Sequence, residues 1–383
     1  MHIEKVNIYP TNMPFQGDFP HSRRNALVAQ NLVAEVIADK GRVVGYGEGA
    51  PRMYVTGETQ EKAVKSAAGL IAEELFPWDL VDVSQIWAFV DRLSGEKSIN
   101  TAVCCIEMAL LDALSKAQGK SMMEYFPGDF CGDKVFYGAT VPLASRERVA
   151  EVCKIIDGLK IKKLRLKMGV SYEKNREIVQ VVKEFFGDHC DLRIDANGAW
   201  DFSLAVKHLA LIRDYDIKVV EQPLMPGDPK IIDLAKNTDR YGITLMADES
   251  ACTLREVQKI MDEGFYKMVN VRLSKCGGFR NSLRIIDTLR RSGYAFQIGC
   301  QLGESGVLSA AGRILCLLCK DAKYHDGSYD KFLLKENVTE EFVSFGLGGQ
   351  ASALDGLGLG VKVNIDSLKR LSAPFGPVSL RRP

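Results

Sequence analysis

The chain has 383 residues, with 50 Lys and Arg against 49 Asp and Glu, a formal net charge of +1, and 46% hydrophobic residues. That length exceeds one ordinary small domain and suits a barrel of about 250 residues with a smaller companion. Balanced charge gives no basis for a nucleic-acid or anionic-membrane partner. No apolar run approaches the roughly 20 residues of a transmembrane span, and Met1 to Val6 lacks the core of a signal peptide, so a cytoplasmic protein is expected.

Residues 1 to about 60 read as antiparallel strands: Ile3 to Tyr9, Ala26 to Ala38, a tight turn at Asp39 to Gly41, then Val43 to Glu48. Between the first two strands, Met13 to Arg24 carries two phenylalanines, His21, Arg23 and Arg24 on a proline-broken stretch. It is expected to be a loop, either a plain connection or a lid over a site. Thr59 can cap a helix from Gln60 to Leu75. Two more helices fit Val83 to Leu93 and Ile99 to Gln118, and the second is apolar enough all round to be a buried core helix. Residues 1–130 therefore read as an α+β domain.

From Lys134 the pattern becomes strand then helix. Strands fit Val135 to Val141 and Lys163 to Met168, then begin at Leu192, Val219 and Thr244, and fit again at Met268 to Leu273 and Tyr294 to Gly299, each followed by a helix, the sixth from Asn281 to Ser292. An eighth unit is indistinct near Tyr324 to Leu334. Such units imply a parallel sheet with covering helices across residues 131–345. The glycine-rich tail, 346–383, ends in short alternating segments that suit a β-type return to the first domain. The ten cysteines sit mostly in apolar runs and read as reduced core thiols, Cys316-Leu-Leu-Cys319 included.

Three of these strands end in an acid: Asp195 in Leu192-Arg-Ile-Asp195-Ala-Asn197, Glu221 in Val219-Val-Glu221, and Asp248 in Leu245-Met-Ala-Asp248-Glu249. A carboxylate at the tip of an apolar strand is costly unless paired. Three at successive strand ends suggest an oxygen-rich site for a hard divalent cation, and Mg2+ suits it best. A closed barrel brings all its strand ends to one mouth, whereas an open sheet spreads them.

The ordered set Tyr54-Val-Thr-Gly-Glu-Thr59, Leu164-Arg165-Leu-Lys167-Met-Gly169, Asp195-Ala-Asn197, Glu221-Gln-Pro223, Asp248-Glu249-Ser250, Val269-Asn-Val-Arg272-Leu-Ser-Lys275-Cys-Gly-Gly278 and Leu354-Asp-Gly-Leu-Gly-Leu-Gly360 resembles the enolase superfamily. Within it the match is to the mandelate racemase/muconate lactonising enzyme family, on the muconate-lactonising and dipeptide-epimerase branch. The resemblance covers nearly the whole chain. It implies a modified (β/α)8 TIM barrel under an α+β capping domain, 1–130, completed by 346–383. It implies Mg2+, with Mn2+ as a substitute, held by Asp195, Glu221 and Asp248, and Glu249 as a supporting acid. It also implies a small-molecule carboxylate substrate and leaves a homo-oligomer open.

The same resemblance implies proton abstraction alpha to a carboxylate. The cation stabilises the charge that builds on oxygen, and a lysine or histidine takes the proton. Lys167 matches the usual base. A nearby cation and Arg165 favour its neutral form. Two departures bear on the reaction. Arg165 replaces the first lysine of the family's Lys-x-Lys, and Arg272 replaces the lysine that ends the sixth strand. Arginine is a poor base but binds carboxylates bidentately. Lys275 follows three residues later, where strand alternation puts it on the opposite side from Arg272. Gln297 to Glu304 contains no histidine that could stand in.

With Lys167 and Arg272 as the catalytic pair and one clear base, a one-base lyase, dehydratase or cycloisomerase is expected ahead of a racemase or epimerase of an amino-acid derivative or dipeptide. A non-catalytic metal-binding barrel is the third reading. Arg165, Asn197, Glu304, Asp326, Arg24 and Tyr54 are the substrate-binding candidates. Asp330 is a further polar candidate, and His325 is a candidate acid for a leaving hydroxyl, although a plain loop histidine is the simpler reading.

Overall fold

The computed structural model describes residues 1–21, 24–73 and 76–383, and for 17–21 and 24–26 the backbone alone. The first sheet comprises β1 (Ile3–His21), β2 (Arg24–Ala38) and β3 (Val43–Gly49). Helices α1 (Gln60–Ala72), α2 (Val83–Leu93) and α3 (Asn100–Ala117) follow. Thr59 caps α1 as expected, its side chain accepting from the Lys62 N–H. The helix ends at Ala72, and Leu75, its expected end, lies outside the described residues.

The stretch expected to be a loop, Met13 to Arg24, is a strand hairpin through its described residues. His21 pairs with Arg24, and a register shift between Pro14 and Phe19 takes up extra residues. Prolines are tolerated there because a bulged ribbon leaves backbone positions that need no N–H donor.

Helix α3 is the spine of this layer. It is long and apolar enough to cross a membrane by length and composition, which the sequence reading did not register, but 89% of that window is buried in the protein. It lies almost on β3. A Cβ on Gly45, Gly47 or Gly49 would meet α3 backbone atoms at 2.4, 2.1 and 2.5 Å respectively. Three glycines on one face of the strand are the reason that backbone and backbone can touch.

The second sheet holds β5 (Ala139–Val141), β6 (Lys163–Lys167), β7 (Asp191–Asp195), β8 (Val219–Glu221), β9 (Thr244–Ala247), β10 (Met268–Val271), β11 (Ala295–Ile298) and β12 (Tyr324–His325), all parallel and in chain order. Between them run α4 (Arg146–Gly158), α5 (Tyr172–Phe186), α6 (Phe202–Asp214), α7 (Ile231–Asp239), α8 (Leu254–Glu263), α9 (Leu273–Cys276), α10 (Gly278–Arg291) and α11 (Gly306–Leu317). This is the modified TIM barrel. The Gly138 N–H donates to the His325 carbonyl at 2.8 Å across the seam between first and last strands.

Two expected strands differ. Val135 to Val141 divides into β4 (Lys134–Phe136) and β5, because β4 turns away to pair with β13 (Gln350–Ser352). Met268 to Leu273 stops at Val271, and α9 begins at once. Helix α10 starts at Gly278 rather than at Asn281, since Gly277 and Gly278 at φ 81° and 90° make the turn. The buried Glu107 carboxylate of α3 then accepts from the Phe279 and Arg280 N–H groups at 2.5 and 2.9 Å. After α12 (Asp330–Leu333) and α13 (Ile365–Arg370), β14 (Val378–Arg381) joins the first sheet beside β1, so the tail returns there as a strand.

Strand parity explains the interior. Val219, Met246, Met268 and Tyr324 form an apolar plug inside the barrel. Two residues on, period-2 alternation puts Glu221, Asp248, Asn270 and Asp326 on the same inner face, one layer higher. Lys167, Asp195 and Glu221 are direct register partners across three strands. One step along each strand converts a dry plug into a charged mouth.

Two outcomes test these contacts. Gly47→Ala is expected to lose about 1–3 kcal/mol or more by overpacking against α3, read by chemical denaturation. Burial pushes the Glu107 carboxyl from 4.5 up to about 8. Between those values the folded state holds more protons than the unfolded one, so stability falls as pH rises through that window. The melting temperature should drop from about pH 5 to about pH 8, with a shallower slope in Glu107→Gln.

Candidate active site

The mouth of the barrel gathers most of the sequence-derived site residues. Lys167 ends β6, and its Nζ donates to Asp195 Oδ2 at 2.6 Å and Asn197 Oδ1 at 2.8 Å. Asn197 is held in turn by Glu249 Oε1, which accepts from its Nδ2 at 3.1 Å. Asn197 sits at φ 48°, a left-handed turn that an asparagine tolerates and that folds its side chain back over the strand end.

Glu221 Oε1 accepts from Asn270 Nδ2 at 2.6 Å, while its Oε2 is buried without a hydrogen-bond partner. Asp248 is positioned through Gln222. The Gln222 carboxamide oxygen accepts from the Asp248 and Ser250 N–H groups, and its nitrogen donates to the Leu224 carbonyl and Ser250 Oγ. One amide thus ties the end of β8 to the end of β9.

Guanidinium groups stand among these acids. Arg272 donates to Asp248 Oδ2 and lies 3.5 Å from Glu221 Oε1. Arg165 Nη1 lies 3.3 Å from Asp326 Oδ2, 3.7 Å from Glu221 Oε2 and 3.9 Å from Asp195 Oδ2. Among the described residues, no three acids converge as a metal-holding group in this arrangement.

The electrostatics follow from burial and neighbours. At Asp195 burial opposes ionisation, but the charges of Lys167 and Arg165 outweigh it and hold the carboxyl below its usual range. Glu221 is pushed up to about 7 by burial and then by Asp195, and Glu249 to about 8 by burial and by Asp248. Burial works against the Arg272 charge, yet Asp248 and Glu221 outweigh it, so the guanidinium stays protonated.

The other candidates have partners of their own. Asp326 accepts from Arg193 Nη2 through both oxygens at 2.6 Å, in the same layer as Glu221 and Asp248. Glu304 is buried, takes the Gln301 N–H at 2.6 Å, and is raised to about 8 by burial. Asp330 accepts from Asn337 Nδ2 and the Val343 N–H, a wall-building role. His325 is not the loop histidine of the simpler reading: it is buried on β12, with Nε2 3.0 Å from the Cys319 carbonyl, and it does not line the cavity. Tyr54 lines the cavity beside Arg272. Arg23 and the side chain of Arg24 lie outside the described residues. All ten cysteines are free, Cys316 and Cys319 included.

Lys275 corrects the sequence expectation. Strand alternation had put it opposite Arg272, but the chain is already helical there, and three residues on a helix share a face. Its Nζ donates to Asp248 Oδ1 at 3.1 Å, the Asp248 carbonyl at 2.8 Å and the Asn270 carbonyl at 2.5 Å. Arg193 was missed altogether. The signal was available: it stands two residues before Asp195, on the same strand face.

Comparison with known proteins gives the context for this geometry. Residues 146–367 match the family model described as enolase C-terminal domain-like. Residues 7–126 match the N-terminal domain of mandelate racemase/muconate lactonising enzyme. The chain belongs to the mandelate racemase/muconate lactonising enzyme family of the enolase superfamily. It is therefore an enzyme of the isomerase or lyase kind.

Among characterised family members, the hydrophobic dipeptide epimerase of Enterococcus faecalis is 26% identical over 315 residues, 81% of this chain and 86% of its own length. Muconate cycloisomerase 1 of Rhodococcus opacus is 24% identical, over 91% of this chain and 93% of its own. In fold, the chain matches N-succinyl Arg/Lys racemase of Bacillus cereus with a TM-score of 0.85 at 22% identity, covering 100% of both chains. It matches the Cytophaga hutchinsonii dipeptide epimerase, solved with Mg and the dipeptide D-Ala-L-Val, with a TM-score of 0.85 at 23% identity, over 99% of this chain and 100% of that one.

Proposed function

We propose that this enzyme removes the proton alpha to the carboxylate of a small organic acid, with Lys167 as the base and Mg2+ held by Asp195, Glu221 and Asp248. The reaction is a one-base process, either β-elimination of water or cycloisomerisation. The observation that carries this reading is the position of Lys167. Its nitrogen borders the cavity at the level of Asp195 and Glu221, aimed by two oxygen partners within 2.8 Å.

The donor set suits the ion. Three carboxylates at neighbouring strand ends are hard oxygen ligands, and Glu221 Oε2 is a buried acceptor with no hydrogen bond to lose. When bound, Mg2+ supplies positive charge to substrate oxygens that gain electron density as the proton leaves. The chain's own groups do the rest. Lys167 takes the proton, and Asp195 and Asn197 hold its direction. Arg272 and Arg165 stay protonated and bind carboxylate oxygens. Lys275 donates to three oxygens away from the cavity lining and does not serve as a second base.

Epimerisation of an amino-acid derivative or dipeptide is the second reading, favoured by the epimerases among the relatives. It requires a proton returned from the face opposite Lys167, where the family's sixth-strand lysine is Arg272 here.

Proton NMR in D2O with Mg2+, on a pooled library of acid sugars, acylated amino acids and dipeptides, tests both. An alpha-proton signal should disappear, and Lys167→Ala should slow this by about 10²–10⁴-fold, the usual worth of a general base. Retained configuration or conversion to a keto acid supports the one-base reaction, and inversion supports the epimerase. No exchange across the library, with metal bound, refutes the proposal. Arg272 competes with the ion for Asp248, so Arg272→Met should tighten Mg2+ binding by about tenfold in calorimetry, equivalent to about 1.4 kcal/mol. Unchanged affinity would mean that the guanidinium does not compete.

A further inference from the structure

One cavity of about 400 Å3 opens from the charged mouth, with Lys167, Arg165, Arg272 and Tyr54 in its lining. It does not stop there. It follows the seam between the first and last strands, past Thr140 and Tyr329, and runs along α4. The seam is a natural place for such a space. It is bridged by the backbone bond from Gly138 to His325, with the Tyr329 hydroxyl donating to the Gly138 carbonyl at 2.8 Å.

Helix α4 carries apolar residues beyond its core stripe. Val149, Cys153 and Ile156 face the barrel and are buried. Val152, Ile155 and, just past its end, Leu159 form a neighbouring stripe at helical spacing. They line the cavity, with Ile155 left 52% exposed. Leu333 and Phe345 line the same cavity. Val152 to Leu159 spans about 10 Å at the rise of a helix, so the apolar arm is longer than a methyl or carboxymethyl group can fill. The far wall is fixed in place. Gln16 Nε2 donates to the Lys331 and Leu334 carbonyls at 3.1 and 2.6 Å, and the Lys335 N–H donates to the Pro14 carbonyl at 2.9 Å. The β1 hairpin of the first sheet therefore clamps the segment that carries Leu333.

A cavity with cations and an aimed base at one end and an aliphatic trough at the other selects an amphiphile. We infer that the substrate is a carboxylic acid bearing an extended, unbranched apolar arm, with its carboxylate among Lys167, Arg165 and Arg272 and its arm along α4 against Leu333 and Phe345. This rests on the same site being the active site. It narrows the substrate class from small acids in general to acyl-chain or alkyl-chain acids. Val152, Ile155, Leu159, Leu333 and Phe345 are its specificity-determining residues.

Calorimetric binding of straight-chain N-acylalanines, acetyl to decanoyl, to the full-length protein with Mg2+ tests the inference. Affinity should rise by about fourfold per methylene until the trough is full, the increment expected for burying one such group. Ile155→Asp and Val152→Asp, both on partly exposed positions, should flatten that dependence. A decanoyl amide of alaninol, which lacks the carboxylate, should bind far more weakly. Equal affinity from acetyl to decanoyl overturns the inference. So does a length dependence that persists in both variants, or equal binding of the alaninol compound, which would mark a greasy surface unconnected to the mouth. Alpha-proton exchange is measured separately on the same compounds. Length-dependent binding without exchange would sink the proposed chemistry and keep the substrate class, and exchange without length dependence would do the reverse.

Discussion

Everything at the barrel mouth answers to the cost of burying charge. Asp195, Glu221 and Asp248 are fully buried, and Asp326 and Glu249 nearly so. Carboxylates taken out of water need partners close by. The partners come from the same ring of strand ends: Lys167 and Arg165 from β6, Arg193 from β7, and Arg272 and Lys275 from the junction of β10 with α9. None of these contacts is an ornament of the fold. Remove one cation and an acid is left uncompensated at the top of an apolar plug.

The neutral groups serve the same end. Asn270 holds the Glu221 carboxylate and Gln222 holds the backbone at Asp248, so both strand ends are fixed before any ligand arrives. Fixed direction matters because a site that must reorganise during reaction loses the benefit of its dipoles. The capping sheet contributes from outside. Helix α3 supplies Glu107 to the start of α10, the helix that follows the Arg272 and Lys275 turn, and it can do so because the glycines of β3 let it approach. A clamp from the β1 hairpin to residues 331–335 fixes the other wall. The two sheets meet around the cavity, and each positions part of its lining.

Arginine at positions 165 and 272 distinguishes this mouth from the lysine pattern that its family leads one to expect. A lysine is a point charge that can lose its proton, whereas a guanidinium is a planar, permanently charged fork. The fork of Arg272 reaches both Asp248 and Glu221. Such a site is neutralised in advance, and any cation or carboxylate that enters does so by exchanging partners with a resident charge.

The sequence by itself determined a great deal. Alternation and βα spacing gave the parallel barrel, and acids at strand tips gave the oxygen-rich mouth, because period-2 patterning and the price of a buried carboxylate are local facts. The ordered motifs pointed to the family and to Lys167. Tertiary structure decided what local pattern could not. Whether Met13 to Arg24 is loop or hairpin depended on a partner strand that accepts a bulged ribbon. Which way Lys275 points depended on the strand ending at Val271, one residue before a helix that no periodicity announces in four residues. That Asp326 serves Arg193, and that Arg272 lies between two acids, depended on strands brought together from 133 and 24 residues apart. The trough along α4 exists only because the seam, the helix and the 331–345 wall meet in space. Sequence pattern reports which face of one element is apolar, and only packing reports which apolar faces are left for a ligand.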